Sequence, residues 1–146
     1  MPTFNFYNHS VARFMRGENP ETDAYKVVLL SSGAVFDATH TTLAEVTDSG
    51  ASEVYGYGWA QGGEAIANPS ISVYATNKGA FDGDDVVVPI VGGDLGPFSA
   101  YAIFNDTDAD DAPIGFVTLD APQTIVAGKT ANIPWPAGGI VIGTPA

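Results

Sequence analysis

Residues 94–120, DLGPFSAYAIFNDTDADDAPIGFVTLD, read as a single β-hairpin, and this hairpin decides the predicted fold. Its incoming arm, residues 98–105, and its outgoing arm, residues 113–119, are both apolar on two faces. In the incoming arm, strand alternation places on one face Phe98, Ala100, Ala102 and Phe104. In the outgoing arm it places together Ile114, Phe116 and Thr118. Because strands without a polar face are usually covered on both sides, we predict that the hairpin lies in the middle of a sheet.

The segment between the two arms is strongly acidic. Asp106, Asp108, Asp110 and Asp111 place four carboxylates within six residues, so the tip should be solvated or hold a cation. The alternating acids resemble a calcium-binding loop, which also needs Gly at its sixth position and Glu at its twelfth. The chain has Asp111 and Val117 there. We therefore predict a solvent-facing tip, and whether it binds a cation stays open.

The charge of the chain is strongly negative and unevenly distributed. The formal net charge is −12 over 146 residues, and residues 27–146 supply all of it, since residues 1–26 hold three basic and three acidic side chains. An acidic body repels the phosphates of nucleic acids and the surface of anionic membranes. The sequence also lacks an apolar run long enough to span a bilayer. We therefore expect no direct nucleic-acid partner and no membrane partner.

Residue types that carry metal and catalytic chemistry are sparse. The chain has no cysteine, and its two histidines, His9 and His40, are far apart in the sequence. A zinc site would need carboxylates to complete it, so we predict no metal and no cofactor. No G-x-S-x-G motif is present, and pairs of carboxylates carry no information in a chain with 17 acids. The sequence therefore predicts a protein that is not an enzyme.

The N-terminal segment is predicted to form a helix over residues 4–17. Its apolar stripe follows helical spacing and consists of Tyr7, Val11, Phe14 and Met15. Asn5 or Asn8 can cap its beginning, and Gly17 suits its end. We predict two parts of the chain: residues 1–24 form this helix and a connecting loop, and residues 25–146 form one antiparallel β-sandwich domain.

The rest of the chain alternates short β-rich runs with Gly, Asn or Asp turns. Runs spaced about 8–12 residues apart are typical of an antiparallel sandwich or barrel. Predicted strands cover residues 25–30, 34–36, 53–66 (bent by its glycines), 71–76, 85–91, 123–126, 131–135 and 138–143. Pro89 places its strand at an edge or a bulge. Thr41 or Thr42 is expected to cap one helical turn that ends near Val46.

Aromatic residues concentrate near the N-terminus, and one tryptophan lies between two prolines. Either group can pack in the core of the chain or contact a partner. Two prolines keep a residue out of a central strand, which puts Trp135 at an edge or a corner. The candidate contact residues are Phe4, Phe6, Tyr7, Arg13, Phe14 and Trp135.

Several blocks occur together in one order along residues 4–143. After the N-terminal segment come YKVVLL (25–30), TTLAEVT (41–47), Gly56-Tyr57, Gly62-Gly63, DVVV (85–88), GGDLGPF (92–98), AYAIFNDT (100–107) and PIGF (113–116). This set resembles a family of small tailed-bacteriophage virion structural proteins, described as head decoration (cement) or minor structural proteins. The strongest block is residues 92–116.

The resemblance implies a β-rich protein of the virion, assembled in the host cytoplasm. It implies a capsid decoration subunit, present in many copies or as a homo-oligomer, that binds the major capsid protein or other virion proteins and stabilises the shell. The alternative is a tail or tail-tip β-sandwich in which Tyr57, Trp59 or Trp135 stacks on a host glycan. A third hypothesis, an enzyme or a calcium-dependent adhesin, has the least support in the sequence.

Overall fold

The structure is a computed structural model that describes residues 3–75, 78–133 and 140–142, with side chains described for residues 4–71 and 80–133. The chain forms eleven strands and two short helices in these residues. In chain order they are β1 (Thr3–Phe6), α1 (Asn8–Met15), β2 (Tyr25–Leu30), α2 (Leu43–Val46), β3 (Glu53–Val54), β4 (Glu64–Ala65), β5 (Ser70–Ala75), β6 (Lys78–Asp82), β7 (Val86–Pro89), β8 (Leu95–Asn105), β9 (Pro113–Ile125), β10 (Thr130–Ile133) and β11 (Ile140–Ile142).

The β8–β9 hairpin is the centre of the largest sheet. That sheet has six strands in the order β1-β9-β8-β2-β3, and β4 also pairs with β2. A two-stranded sheet joins β10 to β7, and a three-stranded sheet has the order β11-β6-β5. Every pairing among these strands is antiparallel. The predicted mainly β, antiparallel fold is confirmed, and so is the position of the hairpin in the middle of a sheet.

The central sheet is covered on both faces, as the two apolar faces of the hairpin predict. The two smaller sheets pack on one face and enclose a large buried cluster, core one, made of Tyr25, Val27, Leu29, Trp59, Ile66, Phe81, Val86, Ile90, Leu95, Phe98, Tyr101, Ile103, Ile114, Val117, Ala131 and Ile133. A smaller cluster, core two, contains Tyr7, Val28, Leu30, Val46, Ala100, Ala102, Phe104 and Phe116. Alternate residues of β2 and β8 therefore point into different clusters.

Two residues of the hairpin lie on the face opposite to the predicted one. Phe98 lies in core one, whereas Ala100 lies in core two, because the β8–β9 register shifts between these two residues. Ile114 also lies in core one, while Phe116 lies in core two, next to a register shift at the start of β9. A bulge inserts an extra residue into one strand, and so it reverses the alternation beyond it.

The predicted N-terminal helix is wrong at its beginning. Thr3–Phe6 is a strand that pairs with β9, and only Asn8–Met15 is helical. Tyr7 is the residue between them, and its backbone carbonyl accepts the first helical hydrogen bonds, from Ser10 N and Val11 N. The ring of Tyr7 fills core two. Met15, predicted as part of the apolar stripe, is exposed.

The remaining predictions for the elements are confirmed in part. The helical turn capped by Thr42 is present as α2. Residues 34–36 form no strand. Residues 53–66 form two short strands, β3 and β4, which are joined by an irregular segment. Residues 123–125 continue β9 and do not start a new strand. The described strand over the predicted 131–135 run is β10, Thr130–Ile133.

Thr42→Ala is expected to lower the free energy of unfolding by about 1 kcal/mol, because it removes a helix cap. Thr42 Oγ1 accepts a hydrogen bond from Glu45 N at 3.2 Å, and Thr42 N donates to Glu45 Oε1 at 3.2 Å, which completes a capping box. Urea unfolding followed by circular dichroism measures the change. Thr41→Ala is the matched control, since the Thr41 hydroxyl donates only to the exposed Glu45 carboxylate. Equal losses in the two variants would contradict the capping role.

Candidate docking site

Most of the side chains predicted as contact residues lie within the packing of the fold. Tyr7 and Arg13 are buried. The partly buried rings that pack against core one are Phe4, Phe6 and Phe14. Phe4 and Phe6 also pack edge to face, with ring centroids 4.6 Å apart. Trp135 lies outside the described residues. None of the described residues predicted as contacts is among the large apolar side chains that are exposed, which lie elsewhere on the surface.

The acidic tip, residues 106–111, is tied to the body by two ion pairs. Arg13 Nη1 lies 3.2 Å from Asp108 Oδ1, and Lys26 Nζ lies 3.4 Å from Asp106 Oδ2. The prediction of a solvent-facing tip is thus corrected for Asp106 and Asp108, because α1 and β2 supply cations to both carboxylates. The tip is therefore held against α1 and β2 by these two carboxylates.

The remaining acids of the tip do not assemble a metal site. Partial burial, together with the negative charges of Asp106 and Asp108, raises the pKa of Asp111. Within residues 4–71 and 80–133, no group of three or more His, Asp or Glu side chains is arranged to hold a metal ion. This region offers a carboxyl group that binds a proton more readily than usual, without a ready set of ligands.

Strand β7 and the residues after it present an apolar outer face. Val86 and Ile90 point into core one, whereas the alternate residues Val87, Pro89 and Val91 are exposed. Val91 has 64% of its surface accessible. The alternation of a strand puts these three side chains on the side away from the core. Strand β7, which carries Val87 and Pro89, belongs to a sheet that has only two strands, β7 and β10, in the described part of the chain.

A glycine-rich loop places an aromatic ring beside this outer face. Tyr57 is 51% exposed and has a φ of +56°, a left-handed conformation that is uncommon for a bulky residue. Its backbone carbonyl accepts a hydrogen bond from Val91 N at 2.9 Å. A Cβ at Gly58 would overlap the Pro89 carbonyl, and a Cβ at Gly93 would overlap the Tyr57 ring. The ring of Tyr57 therefore lies on bare backbone at Gly93, and the loop is fitted closely to the end of β7.

The turn after β9 completes the surface. Lys129 N donates to the carbonyl of Val126, and Ile90 N donates to the carbonyl of Lys129 at 2.9 Å, so the turn is fastened beside the end of β7. Asp94 Oδ1 accepts a hydrogen bond from Ala127 N at 2.9 Å. Val126 itself is exposed. We call the exposed side chains of Tyr57, Val87, Pro89, Val91 and Val126 the Val87 face.

Acidic residues border the Val87 face in the sequence at both ends. Asp84 and Asp85 come just before β7, and Asp94 follows the glycine on which the Tyr57 ring rests. All three are exposed, and so is Lys129, whose backbone carbonyl accepts a hydrogen bond from Ile90 N. An apolar centre with a charged rim is the composition of a protein-binding patch, whereas singly scattered apolar residues on a surface carry no such meaning.

The sequence contained a signal for this site. The run DVVVPIV, residues 85–91, is apolar on both faces, and Pro89 already indicated an edge strand. An apolar edge strand that faces solvent on one side is a recognisable docking surface. The proposed role of Trp59 in glycan stacking is wrong, because Trp59 is 2% exposed and belongs to core one.

No protein-family model, no curated protein and no solved structure matches this chain. Neither helix in the described part of the chain is long and apolar enough to cross a membrane.

Proposed function

We propose that this protein is a structural protein of a tailed-bacteriophage virion, a capsid decoration subunit that acts by binding and stabilises the shell. The observation that carries the proposal is the Val87 face, an exposed apolar surface on a body with a net charge of −12. Exposed patches with polar rims commonly mark protein contacts. The ordered sequence blocks that resemble the phage family give the class of partner, the major capsid protein or another virion protein.

The mechanical role follows from many weak contacts acting together. Packaged DNA pushes a capsid outward, and a subunit that bridges joints in the shell adds contacts that must break before the shell opens. Multivalent attachment makes the combined effect large even where each contact is weak. A closely packed sandwich with its central hairpin covered on both faces is a suitable rigid body for such a bridge.

A tail or tail-tip component is the second candidate. The half-exposed ring of Tyr57 favours it, because aromatic rings with one open face can stack on sugars as well as on protein groups. In this alternative the Val87 face contacts the glycan, and the protein lies on the tail of the particle instead of the head.

The test is cosedimentation of the purified chain with heads, and separately with tails, assembled from the structural genes of the genome that encodes it. We expect binding to heads, and a loss of at least tenfold in affinity for Val91→Asp, since a charge is placed in the apolar centre. Val35→Asp is the matched control, because Val35 is 76% exposed and lies outside the Val87 face. Binding to tails alone would replace decoration by the tail function, and binding to neither would overturn both.

A further inference from the structure

We propose that the Val87 face binds a protein surface that supplies an arginine, whose guanidinium stacks on the ring of Tyr57 and pairs with the carboxylate of Asp94. This inference rests on the proposed function for the identity of the partner, and it adds the chemistry by which the partner is recognised. Three features of the described residues carry it: the ring that lies over Gly93, the acidic residue that follows this glycine, and the charge of the whole chain.

The backbone of Tyr57 is held in place before any partner binds, and its ring rests on Gly93. Its residue has a left-handed backbone, its carbonyl is bonded to Val91 N, and the adjacent Gly58 fits against the carbonyl of Pro89. A bulky residue in this conformation costs free energy, and such strain clusters at functional sites. A ring that is already fixed loses little conformational entropy on binding, and rigid aromatic anchors are typical hot spots of interfaces.

The surroundings of the ring favour a planar cation. One side of the ring rests on Gly93, and the next residue is Asp94, whose Oδ1 is held by Ala127 N. A cation is attracted to an aromatic face, and arginine provides a flat guanidinium that can stack on the ring while donating hydrogen bonds to a carboxylate. Lysine offers a compact charge without that planar fork. The pair of Tyr57 and Asp94 therefore selects arginine over lysine.

The occupant is a different protein rather than a second copy of this chain. Each copy carries a net charge of −12, so two copies repel one another. Both arginines of the chain are already engaged, Arg13 with Asp108 and Arg16 with Glu18. An apolar surface rimmed by basic residues matches the Val87 face in both hydrophobicity and charge. A neutral glycan could stack on the ring and donate a hydroxyl to the carboxylate, but it would lack the ion-pair attraction that a guanidinium adds.

The first arm of the test uses the peptide Ac-Val-Arg-Val-NH2 and the full chain, followed by NMR shifts of backbone amides. We expect shifts centred on Tyr57, Gly93 and Asp94. The matched citrulline peptide, which has the same shape without the charge, should bind at least fivefold more weakly, and the lysine peptide at least twofold more weakly. Equal binding of the citrulline peptide, shifts confined to another region, or stronger shifts with maltotriose than with the arginine peptide would overturn the inference.

Two variants assign the effect to the proposed groups. Tyr57→Leu keeps an apolar side chain but removes the ring, and Asp94→Asn keeps an oxygen that can accept from Ala127 N but removes the charge. Each is expected to weaken the arginine peptide at least fivefold, whereas Tyr57→Phe retains binding. Unchanged affinity in Tyr57→Leu or Asp94→Asn would overturn the inference, as would a wild-type dimer, seen by sedimentation, that Tyr57→Leu abolishes.

The second arm separates this inference from the proposed function. If wild-type protein binds heads and Tyr57→Leu binds them equally well, the arginine contact is overturned while the decoration role stands. If the arginine peptide binds as expected but the wild-type protein binds neither heads nor tails, the virion role fails and the arginine site remains. Loss of head binding in Tyr57→Leu and Asp94→Asn, with retention in Tyr57→Phe, supports both.

Discussion

Arg13→Ala is expected to lower the free energy of unfolding by about 3 kcal/mol, because it leaves the partly buried carboxylate of Asp108 without its cation and removes one of the hydrogen bonds to the buried Asn19 amide. The Arg13 side chain is 10% exposed, and its guanidinium makes three hydrogen bonds. It donates from Nε to Asn19 Oδ1 at 3.1 Å, from Nη1 to Asp108 Oδ1 at 3.2 Å, and from Nη2 to the Glu18 carbonyl at 2.7 Å. These bonds join α1, the following loop and the acidic tip.

A second arginine provides the control for this prediction. Arg16 follows α1 directly, and its exposed guanidinium pairs with Glu18 at 2.8 Å. Pairs of this kind contribute little because water screens them, so Arg16→Ala should unfold close to wild type. Urea unfolding at neutral pH measures both variants. Arg13→Ala and Arg16→Ala with the same midpoint would show that the tip is not held by the Arg13 network.

Asn105 explains why the loss should reach beyond one ion pair. It is the last residue of β8 and is completely buried. Its Nδ2 donates to Asn19 Oδ1 at 3.0 Å and to Asp23 Oδ2 at 2.9 Å, while its Oδ1 accepts from Thr107 N at 2.9 Å. Removing Arg13 therefore disturbs a hydrogen-bond network that includes the last residue of β8. The loss of one member of such a network costs more free energy than a single pairwise contact.

The hairpin was predictable from the sequence, but the direction of some of its side chains was not. Two apolar arms around an acidic turn are a local pattern, and burial on both faces follows from it. The register shift between Phe98 and Ala100 depends on how β8 pairs with β9, including Phe98 opposite Gln123. That pairing is a property of two strands together. Simple alternation along one strand could not reveal the shift.

The beginning of the chain shows tertiary pairing overriding a helical pattern. The helical stripe from Tyr7 to Met15 predicts one helix over residues 4–17, but β9 offers an edge with which Thr3–Phe6 pairs. Phe4 and Phe6 are two residues apart, which is the spacing of side chains on one face of a strand, and the ring of Phe4 lies over Gly115. The period-2 signal was short, three residues long in Phe4-Asn5-Phe6, and a short signal competes poorly with a longer helical stripe.

Of the candidate docking site, only the part formed by β7 was predictable from the sequence. Residues 85–91 carry the apolar outer face in their own sequence. The position of the Tyr57 ring depends on Gly93, far along the chain, and on the fit of Gly58 against Pro89. Neither contact has a local signature beyond the glycines themselves. Composition makes the N-terminal aromatics candidates for a contact surface, but composition cannot tell a ring in the core from a ring on the surface.

Tyr7→Ala is expected to lower the free energy of unfolding by about 4 kcal/mol, the cost of emptying a large aromatic site in a core. Tyr7 is fully buried, with its ring centroid 5.0 Å from that of Phe36. Tyr7→Phe should be neutral or raise stability by about 1 kcal/mol, because the Tyr7 hydroxyl is buried without a hydrogen-bond partner among the described residues. Urea unfolding of the two variants at pH 7 measures both changes. A loss in Tyr7→Phe as large as that in Tyr7→Ala would contradict this account of the hydroxyl.

The same side chain gives stability a dependence on alkaline pH. Burial, with the negative charge of Asp37, raises the pKa of Tyr7 well above its ordinary value of about 10. The folded state then holds the proton that the unfolded state releases, so stability is full below pH about 10 and falls as pH rises through the window up to the folded-state pKa. Each such tyrosine contributes a slope of about 1.4 kcal/mol per pH unit in that window.

Burial also raises the pKa values of Tyr25 and Tyr101, so the stability of the wild-type protein should fall steeply as the pH rises. The stability of Tyr7→Phe should fall with a slope that is smaller by the contribution of one tyrosine. Urea unfolding at pH 9, 10 and 11 measures these slopes, and identical slopes for the two proteins would show that Tyr7 ionises normally in the folded state.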